Sequence, residues 1–123
     1  MTERKFIFIT TSFQGFHKYP GAKEAYKFLR DFHRHIFGVR VKTSVSHNDR
    51  DIEFIELKNA INEFIEVKLK GELYREEISC EDFADHIADF VREYTGSNFI
   101  EVEVNEDGEN GAIIARRYSK EDN

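Results

Sequence analysis

Apolar residues along the chain follow first one period and then another. Lys5 to Phe13, KFIFITTSF, is dense in aromatic and β-branched residues, and His35 to Ser46, HIFGVRVKTSVS, alternates apolar with polar positions. Both stretches predict strands, where side chains point to opposite faces in turn. From Phe54 to Val67 the period lengthens. Phe54, Leu57, Ile61, Phe64 and Ile65 recur three and four residues apart, which gathers them on one face of a helix. Ser79 to Tyr94 predicts a second helix with Phe83, Ile87, Val91 and Tyr94 as its stripe. Ser79 caps its start, and Asp82, three residues on, reaches back to the cap. The intervening KLKGELYREEI is a linker. Phe99 to Asn105 returns to strict alternation and Gly111 to Arg117 is apolar, then basic. The EDGEN between them is a hairpin signal.

The order ββααββ predicts a four-stranded, largely antiparallel sheet with two helices on one face, an α+β domain. A chain of 123 residues supports one hydrophobic core, so residues 1–123 are read as a single domain. Such a small sheet has two open edges, and pairing between subunits is one way to shield them, so a symmetric homo-oligomer is expected. The connection between the first two strands, QGFHKYPGAKEAYKFLRDF, is long for a hairpin. Gly15, Pro20 and Gly21 mark it as irregular, and long loops are often functional.

Composition narrows the function classes. Apolar residues make up 40% and charged residues 34%, with no long apolar run, so no membrane partner is expected. The amino-terminal MTERKFIFITTSF lacks the apolar core and cleavage site of a secretory signal, and the single cysteine, Cys80, has no internal partner for a disulfide. A cytoplasmic location is expected. The net charge of −6 divides unevenly: residues 1–50 hold ten Lys and Arg against four Asp and Glu, a net +6, whereas residues 51–123 hold eight against twenty, a net −12. An acidic chain is a poor partner for nucleic acid, but a basic patch in its first half suits a small anion.

The candidate chemistry lies with histidine. His33 and His35, two apart in DFHRHIFGVRV, point to the same side of a strand, and His17 in GFHKYP adds a third imidazole. Three nitrogens with a fourth position open are the ligand set of a catalytic zinc. The same spacing also suits two ordinary polar residues on a strand face, and spacing alone leaves both readings standing. Glu106, at the end of a strand, is placed to accept two parallel hydrogen bonds from a guanidine-like edge such as that of a pterin or guanine. It also reads as a solvated hairpin acid beside Asp107 and Glu109. His47 falls in a polar turn, His86 reads as a partly buried structural histidine, and Cys80 as a small buried filler.

Five segments, in order, resemble the 6-pyruvoyl-tetrahydropterin synthase and 6-carboxy-tetrahydropterin synthase family of the tunnelling fold, or T-fold. FQGFHKYP resembles the family's first zinc-histidine segment, with His17 in the ligand position, and FHRHIFGVRV its HGH strand, with His33 and His35 as the other ligands. IEFIELKNAINEFI is similar to the DFxxLK helix, carrying Phe54, Leu57 and Lys58. ISCEDFADHI is similar to the PTSE helix start, with Ser79 for the threonine and Glu81 for the glutamate. VEVNEDGENGA resembles the VxVxET hairpin and sets Glu106 on the acid that anchors the pterin.

The resemblance implies Zn2+ at His17, His33 and His35, and a pterin or purine-like ligand held by Glu106 and Ser79. It also implies a homohexamer of two stacked trimers with sites between subunits. The implied substrate is 7,8-dihydroneopterin triphosphate or a related pterin, in a pterin or queuosine (7-deazaguanine) pathway, and the implied activity is that of a lyase. Lys18, Lys23, Lys27 and Arg30 would suit the triphosphate. The departures are specific: Leu29 stands where the family has its catalytic cysteine, and VKLKGELYREE lacks the Asp-His relay. Because a general acid or base contributes about 100- to 10,000-fold, losing both predicts a weak enzyme or a different one unless a nearby residue substitutes. Asp31, Glu24 and His47 are the candidate proton acceptors. The alternative is a non-catalytic T-fold module that keeps the pterin or purine pocket.

Overall fold

The computed structural model describes residues 3–49 and 51–119. Two long strands, β1 (Lys5–His17) and β2 (His33–Val45), pair antiparallel from Lys5 opposite Val45 to His17 opposite His33. Strand β3 (Phe99–Glu106) adds to β2, and β4 (Asn110–Arg117) adds to β3, giving the antiparallel order β1-β2-β3-β4. Helix α1 (Phe54–Phe64) lies over β1, and α2 (Cys80–Thr95) over β3 and β4. This is the α+β, ββααββ architecture expected from the periodicity, with both helices on one face.

Alternation decides which face they cover. On β2 the odd-numbered Phe37, Val39 and Val41 are buried, as are Ile9 and Phe13 on β1 and Ile100, Val102 and Val104 on β3. Against them α2 packs Phe83, Ala84, Ile87, Ala88 and Val91, behind a capping box in which Ser79 Oγ accepts from Asp82 N–H and the Asp82 carboxylate accepts from Ser79 N–H. Among the described residues, none covers the opposite face. There Phe8 and Ile113 are exposed, with the Arg40 guanidinium 4.7 Å from the centre of the Phe8 ring.

Three details differ from the sequence reading. The stripe Leu57, Ile61, Ile65 continues to a fully buried Leu69, so the chain stays helical as a π-helical segment (Ile65–Glu72) where a linker was expected from Lys68. Phe54 and Tyr94, assigned to helix stripes, are half exposed, although Tyr94 stacks on Phe90. Finally, β1 runs on past Phe13 to His17, and the rest of the connection holds a short 3-10 helix (Glu24–Arg30). Gly15 permits that extension. A Cβ there would come within 3.0 Å of the Phe37 ring, which lies over the strand. Among the described residues, no helix is long and apolar enough to cross a membrane.

Candidate metal centre

The histidines are the continuation of the core stripe. His17 follows Ile9 and Phe13 on the covered side of β1, and His35 and His33 precede Phe37 on the covered side of β2, so the same alternation that builds the core aims all three imidazoles together. His17 and His33 are directly opposite across the ladder. Ring centres are 4.5 Å apart for His17 and His33, 4.9 Å for His33 and His35 and 5.2 Å for His17 and His35. Phe37 closes the inner side, its ring centre 5.3 Å from His17 and 5.7 Å from His35. Glu106, opposite Phe37 on β3, supplies a carboxylate to the group. One nitrogen from each ring and one Glu106 oxygen lie within 4.8 Å of one another.

The outward nitrogen of every ring is already committed. Nδ1–H of His17 donates to the Ile78 carbonyl oxygen at 2.8 Å, that of His33 to the Asp31 carbonyl oxygen at 2.9 Å, and that of His35 to Asp107 Oδ2 at 2.7 Å. All three partners are pure acceptors, so each Nδ1 carries its hydrogen and each ring turns its Nε2 inward. The Nε2 atoms of His17 and His35 are buried without a hydrogen-bond partner among the described residues. Buried polar atoms are rarely left so, and these residues are a group that could hold a metal ion taking nitrogen and carboxylate ligands.

Asp107 adjoins the site, and the sequence reading names it only as an acidic neighbour of Glu106. It occupies the left-handed region at φ 58, followed by Gly108 at φ 77, in a turn closed by Glu109 N–H donating to the Glu106 carbonyl. Aspartate tolerates this conformation. The turn sends its carboxylate back to β2, where Oδ1 accepts from Ile36 N–H at 2.8 Å and Oδ2 from His35. The hydrogen bond from His35, then that from Ile36 N–H, holds the Asp107 carboxyl below the usual carboxylate range. The available signal was the Asp-Gly pair directly after Glu106.

A cavity of about 520 Å³ opens onto His17, His33 and Glu106, with Ser79, Leu29 and Lys18 in its wall. Ser79 Oγ accepts the capping bond and keeps its hydroxyl hydrogen to donate. Leu29 contributes an aliphatic side chain to that wall. Cys80 lines the same cavity, but burial, then the charges of Glu106 and Glu81, push its thiol up to about 12, so it stays protonated and a weak nucleophile. The other expected acid–base residues stand apart. Asp31 and Glu24 are exposed and line a separate depression beside the 3-10 helix, where Asp31 contributes its carbonyl to His33. His47 lies beyond the opposite end of β2, 3.3 Å from Asp51. Of the basic residues, Arg30 donates to the Ala22 carbonyl oxygen at 2.8 and 3.0 Å and Lys18 pairs with Glu76 at 3.1 Å, so both are engaged.

A four-stranded antiparallel sheet, two helices on one face, and imidazoles gathered where the helices stop covering it together define a T-fold domain. Among solved structures, the crystal structure of 6-pyruvoyl tetrahydropterin synthase from Plasmodium vivax superimposes with a TM-score of 0.64 at 15% identity, covering 94% of this chain and 99% of that one. The chain thus has the 6-pyruvoyl tetrahydropterin synthase fold over nearly its whole length. No protein-family model matches the sequence, and no curated protein does either.

Proposed function

We propose that the protein is a zinc-dependent enzyme of pterin chemistry, acting on 7,8-dihydroneopterin triphosphate or a related pterin in a pterin or queuosine (7-deazaguanine) pathway. The observation that carries this reading is the convergence of three imidazoles whose Nδ1 atoms are all held by acceptors, leaving Nε2 atoms to bind. Bound there, zinc would polarise a side-chain oxygen of the pterin. Ser79 and Glu106 border the adjoining cavity, suited to hydrogen-bond the ring and its guanidine-like edge. The sheet face and the outer edges of β1 and β4, which no described residue covers or pairs, favour assembly, and a homohexamer of two trimers in the cytoplasm belongs to this reading. Purified protein should carry one zinc per chain by mass spectrometry and convert 7,8-dihydroneopterin triphosphate to a new pterin on chromatography. Protein without stoichiometric metal, to which added zinc restores neither binding nor turnover, rules the reading out.

A second reading is favoured by the cavity wall. Leu29 is inert, Cys80 is a protonated thiol, and neither Asp31 nor Glu24 lines the cavity. A non-catalytic module that binds a pterin- or purine-like ligand at the same place needs none of them. Tight neopterin binding by calorimetry with no product formed selects this reading; clean turnover excludes it.

A further inference from the structure

The carboxylate of Glu106 stands in an arrangement that hydrogen bonding does not explain. Its Oε2 lies 2.6 Å from His35 Nε2 and 3.4 Å from His17 Nε2. Even at 2.6 Å the contact does not count as a hydrogen bond, and the His35 nitrogen has no hydrogen-bond partner among the described residues. Each ring is already bonded through Nδ1, and the Glu106 oxygen approaches two inward-turned ring nitrogens at once, the grouping of nitrogen and oxygen donors that surrounds a shared cation. Both Nε2 atoms are buried, and the Glu106 side chain is only 25% exposed.

We propose that Glu106 is the fourth ligand of the resting metal centre, closing a three-nitrogen, one-oxygen site with His17, His33 and His35. Tetrahedral bonds of about 2.0–2.1 Å set ligand atoms about 3.3 Å apart, so the 3.4 Å contact already suits such an ion. Around it, the 2.6 Å contact opens and the widest separations, up to 4.8 Å, contract. A site with four protein ligands is closed, whereas one that acts on a bound molecule needs a free position. Resting on the zinc-and-pterin reading above, the inference makes Glu106 a shared group. It ligates the ion when the cavity holds no pterin, and a pterin edge with two N–H donors draws it away and opens the coordination position.

The test uses Co2+ as the probe, since its visible absorption reports coordination number and ligands, on the full chain and on the Glu106→Gln and Glu106→Ala variants. Circular dichroism checks that each variant is folded. Wild type is expected to bind one Co2+ with a four-coordinate spectrum. Both variants should still bind one through the three histidines, with a changed spectrum and affinity weaker by about 10- to 100-fold or more, the loss typical of even an outer-shell partner. Neopterin should move the wild-type spectrum towards that of Glu106→Gln. Variants with wild-type affinity and spectrum overturn the ligand assignment and leave the zinc reading intact. Bound neopterin that leaves the wild-type spectrum unmoved overturns the exchange. A wild type that binds no metal overturns both the assignment and the zinc reading.

Discussion

One side of β2 carries two chemistries on a single backbone. At Val39 and Val41 it meets helix side chains and is fully buried or nearly so; two and four residues before Phe37, the same row presents His35 and His33. Register, twist and alternation are common to both regions. What differs is cover: the helices shield the apolar row, whereas the imidazole row borders a cavity beside the start of α2. The ladder that builds the core therefore also sets the spacing of the imidazoles, and Phe37, packed on Phe13 and Phe83 on one side and on His17 and His35 on the other, is the border between the regions.

The sharpest way to break that comparison is at the border. Phe37→Ala removes a fully buried ring common to both regions and is expected to cost about 3–5 kcal/mol in urea unfolding, with metal binding lost as well. His33→Ala should separate them. Its ring is partly exposed and lies outside the apolar core, so metal-free stability should move by less than about 1 kcal/mol while metal affinity falls more than the 10- to 100-fold expected of an outer-shell change.

Asp107→Asn should lower affinity by about 10- to 100-fold with the histidines intact, as measured by chelator competition. Because the folded Asp107 carboxyl is held below its ordinary value, its contribution to stability is present above about pH 4 and lost as pH falls through the lower folded value. Wild type and Asp107→Asn should thus converge in acid melts. The smallest effect belongs to Cys80. At pH 8 iodoacetamide should leave it unmodified in the native protein and label it fully in denaturant, as a buried thiol pushed up to about 12 requires.

Periodicity made the sheet, both helices and the α2 cap legible, because each is built on side-chain alternation or on a local hydrogen bond. The extension of β1 was hidden by Gly15, which reads as a loop residue in sequence but here makes room for a ring from the neighbouring strand. Helical continuation to Glu72 was hidden because Lys68, Lys70 and Gly71 obscure the single buried Leu69 that sustains the stripe. His17, His33, His35 and Glu106 were named from sequence, and the structure brings the four together. Asp107 was not, since its role depends on a positive φ that turns its carboxylate across the sheet. His47, one of the residues considered for proton transfer, shares a strand neighbourhood with the site in sequence alone; the length of β2 separates them.

The three acceptors that hold the imidazoles come from separate parts of the chain: the residue after the 3-10 helix, the residue before the α2 cap, and the β3–β4 turn. Ring rotamers are thus ordered as the chain folds, and an ion arriving there has little further side-chain freedom to remove. Linkage runs the other way too. Local opening of any one of these segments frees a ring, so an ion that requires all three joins their separate openings into one cooperative event and slows exchange of amide hydrogens in segments far apart along the chain.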